Sequence, residues 1–140
     1  MTRADRLQHV LERAFNEGDF TSIDEAFTPD ALLHDPGLEM RGTSELKVGL
    51  AKLRQAFPDF HFTVEDTLCD GDRVALRYRG QGTQHGEFKG IPATGRPIDY
   101  RGMLMVRFDT ERIAEFWAQP DLLGVMQQLG AQMVLPDHRS

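Results

Sequence analysis

The spacing of apolar residues changes near residue 60, and this change restricts the folds that the chain can adopt. Before residue 60, apolar residues recur every three or four positions, as on helices that pack on one side; after it, they alternate with polar residues, as in half-buried strands. No repeat or linker divides the 140 residues, which is the length of one ordinary domain. The sequence therefore predicts an α+β domain over residues 1–131 and a loose tail over 132–140, which includes His138.

The part of the chain before residue 60 is predicted to form three helices. The first helix ends at Gly18, and its apolar stripe consists of Leu7, Val10, Leu11, Ala14 and Phe15. Asp19 can cap a second helix that runs from Phe20 to Phe27. After the break at Asp35-Pro36-Gly37, a third helix runs from Leu46 to Phe57.

The part after residue 60 is predicted to form consecutive strands. The first of them places four apolar residues on one face: Phe60, Phe62, Val64 and Leu68. A turn at Asp70-Gly71-Asp72 leads into a strand that contains Tyr78, which is a hairpin pattern. A long strand, Ile98 to Phe108, then turns back as Ile113 to Gln119, and a helix from Leu122 to Leu129 follows. We expect an antiparallel sheet of about four strands that curls around the helices into a cone with a pocket.

Alternation along the strands predicts which side chains line this pocket. Hairpin pairing should add Ala114, Phe116 and Ala118 to the inner face, unless a bulge shifts the register. The predicted pocket wall is Phe15, Tyr78, Tyr100, Leu104, Phe116 and Ala118. The outer face carries Met103, Met105 and Trp117 among arginines, which is more apolar than a solvated sheet needs. This pattern favours a homodimer formed through the outer face, with scattered surface Met and Trp as the alternative.

Composition excludes several classes of function. The formal net charge of -6 and the pI near 5.3 argue against a nucleic-acid partner. The charged N-terminal segment has no uninterrupted apolar stretch, so we expect a cytoplasmic protein with no signal peptide or membrane span. Cys69 is the single cysteine, and the five histidines have no ligand spacing. No phosphate-binding glycine motif is present, and we expect neither a metal nor a cofactor.

Short motifs in the second half of the chain carry a family resemblance. They are Gly86-Glu87-Phe88, Gly90-Ile91-Pro92, Thr94-Gly95-Arg96, Arg101-Gly102-Met103, Arg107-Phe108, Glu115, Trp117 and Asp121-Leu122-Leu123-Gly124. Together with RGTSELK and AFPDFHFTVED upstream, they make the chain resemble the SnoaL-like polyketide cyclases of the nuclear-transport-factor-2-like and ketosteroid-isomerase-like superfamily.

The resemblance implies an α+β cone and a reaction, intramolecular aldol ring closure, that needs no cofactor. In this chemistry a base removes a proton next to a carbonyl group, and hydrogen-bond donors stabilise the enolate. An apolar pocket suits it, because burial raises the pKa of a carboxyl group towards the working range. The implied substrate is a hydrophobic, polyketide-like natural-product intermediate.

Two positions depart from the pattern that the resemblance implies. In the cyclases, the residue after the Trp is commonly the proposed acid/base Asp, and a position in the preceding strand commonly carries His or Asp. The matching residues here are Ala118 and Leu104, and both are predicted to face inward, close together. The sequence therefore leaves three functions open: ring closure or isomerisation, acid-assisted opening of an epoxide, and ligand binding without catalysis.

Asp121 and His34 are the remaining candidates for acid/base catalysis. Asp121 matches the second acid of the family's Trp-Asp-x-x-Asp run, but an Asp in front of a helix is also a favoured N-cap. His34 precedes Asp35 at the end of a short strand, where it is either a proton carrier or a structural turn residue. Tyr78 and Tyr100 are predicted either to donate hydrogen bonds to a developing oxyanion or to be core aromatic residues.

Overall fold

The first helical segment begins at a capping box and ends at a glycine. The computed structural model describes residues 1–137. It contains α1 at Arg3–Glu12, a π-helical turn at Arg13–Glu17, α2 at Thr21–Ala26, α3 at Ser44–Ala56 and α4 at Leu122–Gln128. Thr2 and Asp5 form a capping box at the start of α1. Gly18, with a φ of 69°, ends the π-helical turn in the left-handed conformation, as its position in the sequence predicts.

The segment after α4 has no regular secondary structure between residues 131 and 137. The remainder of the predicted tail, with His138, lies outside the described residues. Within residues 1–137, no helix has the length and apolar character needed to cross a membrane.

One curved sheet of six strands packs against the helices. The strands are β1 at Phe27–Asp35, β2 at Leu38–Arg41, β3 at His61–Asp70, β4 at Arg73–Thr83, β5 at Pro97–Asp109 and β6 at Arg112–Pro120. Their order across the sheet is β2-β1-β6-β5-β4-β3, and the neighbours are antiparallel except for β1 and β6, which run parallel.

The prediction of an α+β domain with a curved sheet is confirmed, but the sheet has six strands where about four were expected. The two additional strands come from the first half of the chain: β1, predicted only as a short strand that ends at His34, and β2. Phe27, predicted as the end of the second helix, is the first residue of β1 and has an extended backbone with a φ of -106°. Pro29 explains the early end of the helix, because a proline disfavours helical backbone in the residue before it.

The pairing of β5 with β6 follows the predicted hairpin over most of its length. Leu104 lies opposite Ala118, and Val106 lies opposite Phe116. Leu104, Val106 and Phe116 are buried, whereas Met103 on the other face is 62% exposed. Leu104 and Ala118, the two positions at which the resemblance implies an acid and a base, are therefore direct cross-strand neighbours on the inner face.

Two bulges change the predicted faces. In the β3–β4 pair, the register shifts between Val64 and Asp66. As a result Leu68, predicted to face inward, lies opposite Ala75 on the outer face and is 74% exposed. In the β5–β6 pair, a second shift leaves Ala114, also predicted to face inward, without a partner on β5. An extra residue in one strand reverses the face of every residue beyond it until the register is restored.

Two tyrosines on the inner face lie across glycines of the neighbouring strand. Tyr78 of β4 pairs with Gly102 of β5, and Tyr100 of β5 pairs with Gly80 of β4. A Cβ atom added to Gly80 would be 2.6 Å from the ring of Tyr100, and one added to Gly102 would collide with the ring and hydroxyl of Tyr78. Each glycine therefore provides the space that the opposite ring occupies.

We predict that Gly102→Ala destabilises the protein more than Gly80→Ala does. Tyr78 is buried and has little room to move, whereas Tyr100 is only half buried and can turn away. Overpacking should lower the free energy of unfolding by about 1–3 kcal/mol for Gly102→Ala and by less for Gly80→Ala. Gly49→Ala is the control, because Gly49 lies in α3 and no atom is within 4 Å of the added Cβ. This substitution should raise the free energy of unfolding by up to about 1 kcal/mol. Urea unfolding measures all three variants, and equal losses for the two strand glycines would contradict the packing argument.

Candidate functional site

The side chains of the inner face are fully buried at one end of the sheet, the closed end, and only half buried at the other, the open end. At the closed end, Val74, Val106 and Ile113 are at most 1% exposed. At the other end, Tyr100 and Ala118 face inward but are only half buried. We define the inner site as five side chains at this open end: Asp35, Tyr78, Tyr100, Leu104 and Ala118.

Asp35 belongs to the inner site because of its position on β1. Leu33 is buried on the inner face and pairs with Phe116 of β6. Alternate residues of a strand face the same side, so Asp35 faces inward as Leu33 does and comes next to Ala118. The residue as a whole is exposed, since it stands at the turn into β2, while its carboxyl group faces the protein.

The two tyrosine hydroxyls are open to the inner site. The Tyr78 ring stacks on Phe62 with 4.7 Å between ring centroids. The Tyr100 ring meets the Tyr78 ring edge-on, with 6.1 Å between centroids and 85° between the ring planes. Within residues 1–137, neither hydroxyl has a hydrogen-bond partner, and no buried side-chain polar atom is left without one. Both hydroxyls therefore keep accessible surface, although their rings are surrounded by other side chains.

The electrostatics of the inner site keep the tyrosines protonated and make Asp35 a weaker acid. Burial, and after it the negative charge of Asp35, raises the pKa of Tyr100 to about 12. The pKa of Tyr78 is raised by burial, by Tyr100 and by Asp35. Burial also raises the pKa of Asp35, and the ammonium group of Lys89 partly offsets this effect. The site thus combines a carboxyl group with two neutral hydrogen-bond donors.

Gln84 organises the loop that joins β4 to β5. Its side chain is fully buried, donates to the carbonyl group of Ile91 at 3.0 Å and accepts hydrogen bonds from the N–H and the hydroxyl group of Thr94. A buried amide is stable only when such partners are present. The loop is therefore held in one arrangement by a polar residue at its base.

A tight turn within this loop places a cation near Asp35. Phe88 and Ile91 exchange two backbone hydrogen bonds, of 3.0 and 2.9 Å, around Lys89-Gly90. Lys89 and Gly90 have φ values of 48° and 86°, which is the backbone of a primed two-residue turn. The left-handed conformation is unfavourable for Lys89, and the paired flanking residues hold it there.

His34 lies on the outer face, on the opposite side of the sheet from the tyrosines. Its Nε2 is 2.8 Å from Glu115 and its Nδ1 is 3.1 Å from Glu39. Its ring stacks on Trp117 with 5.4 Å between centroids, and Arg107 also contacts Glu115 at 3.4 Å. The hydrogen bond with Glu115 is the main cause that raises the pKa of His34. The structure therefore places His34 in an outer ion-pair network and does not bring it to the inner site.

Asp121 occupies the N-cap of α4. Its carboxylate accepts a hydrogen bond of 2.9 Å from the N–H group of Gly124, and its own N–H donates to the carbonyl group of Arg101. The side chain is exposed. Capping, one of the two roles that the sequence left open for Asp121, is thus observed, and Asp121 is not part of the inner site.

The other predicted pocket residues lie on the inner face. Phe15 stacks on Phe62 with ring centroids 4.6 Å apart and packs beside Phe60. Phe116 is 8% exposed and contacts Phe27 at 6.2 Å between centroids. These aromatic side chains form an apolar wall next to the inner site.

The outer face carries an apolar groove of about 440 Å³. One row of paired residues crosses four strands in this groove: Leu68, Ala75, Met105 and Trp117. Met103 lines the same groove. A second groove, of about 360 Å³, lies between α1, α2 and the turn from β5 to β6 and is mainly polar. The outer groove is the larger apolar surface of the two.

Sequence reasoning did not identify Asp35 or Lys89 as site residues. The alternation of Ala31, Leu33 and Asp35 was the signal that places the acid on the inner face. The Lys89-Gly90 dipeptide is a turn signal, but its proximity to Asp35 depends on how the loop folds over the sheet. In the described part of the chain, no three His, Cys, Asp or Glu side chains are grouped closely enough to hold a metal ion.

Comparisons with known proteins give one consistent result. The sequence pattern of the SnoaL-like polyketide cyclases matches residues 5–129. Aklanonic acid methyl ester cyclase DnrD from Streptomyces peucetius is 28% identical over 142 residues, which cover 97% of this chain and 96% of DnrD. The structure of TsrD from Streptomyces laurentii has a TM-score of 0.85 at 28% identity and covers 93% of this chain and 96% of TsrD. The structure of IdmH from Streptomyces antibioticus has a TM-score of 0.80 at 33% identity and covers 94% of this chain and 100% of IdmH.

Replacement of Asp121 separates its capping role from catalysis. Asn caps a helix about as well as Asp, so Asp121→Asn should retain both the free energy of unfolding and any catalytic activity. Asp121→Ala should lower the free energy of unfolding by about 1 kcal/mol and leave the activity of the folded fraction unchanged. Urea unfolding and product formation measure the two effects. Activity lost in a stably folded Asp121→Asn protein would instead assign a proton transfer to Asp121.

Proposed function

Because the chain belongs to the SnoaL-like polyketide cyclase family, we propose that it is a cofactor-independent cyclase or isomerase of a hydrophobic, polyketide-like intermediate. The observation that carries this proposal is the pair of tyrosine hydroxyls, Tyr78 and Tyr100, which have no hydrogen-bond partner within residues 1–137 and lie among apolar side chains at the inner site. Two relatives in the family are named aklanonic acid methyl ester cyclases. Their names support a substrate of the same chemical class for this chain.

The proposed chemistry is proton transfer next to a carbonyl group. Removal of this proton yields an enolate, and the hydroxyls of Tyr78 and Tyr100 are suited to stabilise its oxygen, since both remain neutral donors. Leu104 and nearby aromatic residues keep the surroundings apolar, which strengthens each hydrogen bond to a developing charge. Neither Asp121 nor His34 faces these hydroxyls, and we do not assign the proton transfer to them.

Two other functions fit the same site. In an epoxide-opening cyclase or hydrolase, a tyrosine hydroxyl would donate a proton to the epoxide oxygen while a substrate hydroxyl or water attacks the carbon. In a non-catalytic binding protein, the same hydroxyls would only orient the ligand. Neither alternative requires a carboxyl group at the positions of the family's usual acid and base, which are Leu104 and Ala118 here, so both stay open beside ring closure.

We also propose that two copies of the chain associate through the outer groove. Leu68 and Met103 are 74% and 62% exposed there, beside Met105 and Trp117. Large apolar side chains that share one exposed face are typical of a surface covered by a partner. The side chain of Trp117 also stacks on His34, so the ion-pair network of His34 would lie next to the interface.

Mass spectrometry of the products tests the proposed function. The protein is incubated with a panel of polyketide esters and hydroxy-epoxides, and each mixture is compared with a protein-free control. A new isomer of unchanged mass is the expected result, whereas the gain of one water would identify hydrolytic epoxide opening. No conversion by a protein whose melting temperature rises with some members of the panel would assign ligand binding alone.

Substitution within the outer groove tests the homodimer. Met103→Glu introduces a charge into the apolar surface, and we expect it to convert a dimer into a monomer. Val48→Glu is the matched control, because Val48 is 54% exposed on α3, away from the groove, and this variant should remain dimeric. Sedimentation velocity at micromolar concentrations measures both proteins. A wild-type monomer under these conditions would refute the interface.

A further inference from the structure

We propose that Asp35 is the acid/base residue of the inner site, in place of the family's acid at position 118. This inference rests on the proposed cyclase or isomerase function and identifies the residue that moves the proton. Asp35 is an inward-facing carboxylic acid at the open end of the sheet, and Ala118 is its neighbour on the adjacent strand. A carboxyl group on β1 thus reaches the same region that one on β6 would occupy.

The packing of Tyr78 directs its hydroxyl towards this region. Its ring extends from β4 across Gly102 of β5, so the hydroxyl end points along the sheet in the direction of β6 and β1. Asp35 lies on β1 and acts electrostatically on both Tyr78 and Tyr100. A ligand seated on the inner site therefore meets the Asp35 carboxyl group on one side and the Tyr78 hydroxyl on the other.

The side chain next to Asp35 on β6 is small. Ala118 projects only a methyl group from β6, and Leu104 behind it is 5% exposed. No hydrogen bond or ion pair within residues 1–137 engages the Asp35 carboxyl group. Most other inward-facing positions are filled by packed side chains, so this carboxyl group is the one at the inner site that is available to a ligand.

The proposed reaction returns Asp35 to its initial state. Its carboxylate takes a proton from the carbon next to a carbonyl group, and the released electron pair forms the enolate, whose oxygen accepts hydrogen bonds from the tyrosines. The enolate carbon attacks a second carbonyl carbon of the same molecule and forms the new C–C bond. The resulting alkoxide takes the proton back from the Asp35 carboxylic acid. No atom is gained or lost, and no co-reactant is needed.

Lys89, on the loop between β4 and β5, is the cation whose charge acts on Asp35. Its ammonium group favours the ionised carboxylate, which is the form that acts as a base. The charged and titratable groups around Asp35 are thus Lys89 from this turn, Tyr78 from β4 and Tyr100 from β5. His34 and Glu39 are close to Asp35 in the sequence, but their side chains lie on the outer face and bond to each other there.

Replacement of Asp35 by Asn is the first test. Asn has the same shape but cannot carry the proton, so Asp35→Asn should lower kcat by at least about 100-fold while ligand-induced stabilisation is retained. Asp30→Asn is the matched control: Asp30 is an exposed acid of the same strand at a position that faces outward, and this variant should keep wild-type kcat. Thermal unfolding without ligand establishes that both variants are folded.

Transfer of the acid to the neighbouring strand is the second test. The double variant Asp35→Asn with Ala118→Asp restores a carboxyl group next to the vacated position. Its kcat should be at least about tenfold higher than that of Asp35→Asn alone. A purely structural role for Asp35 predicts no such recovery. If Ala118→Asp prevents folding, the pH profile described next provides an independent test.

The pH dependence of kcat/KM is the third test. The base acts as a carboxylate, so kcat/KM should rise with pH through the pKa of Asp35, and this limb should be absent in Asp35→Asn. Lys89→Met removes the charge that lowers the pKa of Asp35, so the limb should move to higher pH, whereas Lys89→Arg should leave it near the wild-type position.

The outcomes separate this inference from the proposed function. If wild type converts substrate and Asp35→Asn retains both kcat and the pH limb, Asp35 is not the acid/base and the cyclase function stands. If wild type binds members of the panel but converts none, the proposed function and the role of Asp35 fail together.

Discussion

The stacking of two tyrosines on glycines of the opposite strand is the contact on which the inner site depends. Tyr78 lies across Gly102, and Tyr100 lies across Gly80, because a glycine has no side chain to hold the ring away from the sheet. The rings fill the inner face between β4 and β5, and their hydroxyls have no hydrogen-bond partner within residues 1–137. Packing therefore fixes the position of the Tyr78 donor most firmly, and the hydrogen-bonding capacity of both hydroxyls remains available to a ligand.

The alternation of β1 distributes two consecutive titratable residues between two different surfaces. His34 pairs with Trp117 and bonds to Glu115 on the outer face, whereas Asp35 faces inward beside Ala118. A strand offers no intermediate orientation, so a histidine and an aspartate adjacent in sequence cannot both serve the inner site. By its ordinary pKa, His34 is better suited than Asp35 to proton transfer near neutral pH, but its side chain lies on the outer face.

The regular parts of the fold were predictable from the sequence, and the irregular parts were not. Alternation gave the correct faces of β5, because residues such as Leu104 and Met103 differ in burial along an uninterrupted strand. The bulge that exposes Leu68 has no local sequence signal, since it depends on how β3 pairs with β4. The parallel contact of β1 with β6 joins segments about 80 residues apart, which local periodicity does not report.

The same limit applies to the inner site. The tyrosines, Leu104 and Ala118 were predicted because each lies on a strand with clear alternation. Asp35 was interpreted as part of a turn, because Pro36 and Gly37 follow it, although it is the last residue of β1. Its neighbour on β6 and the cation on the loop are both distant in sequence, so only the folded chain shows what surrounds it.

The apolar residue at position 118 is consistent with an acid on β1. Two carboxyl groups on adjacent strands and the same face would repel each other when ionised, and one of them would have its pKa raised strongly. With Ala118, the inner site contains a single carboxyl group, and the nearby ammonium of Lys89 favours its ionised form. An alanine at 118 and a carboxyl group at 35 are therefore compatible parts of one arrangement. On this argument Ala118 and Leu104 provide the apolar floor on which Asp35 and the two tyrosines act, and they do not by themselves indicate an inactive site.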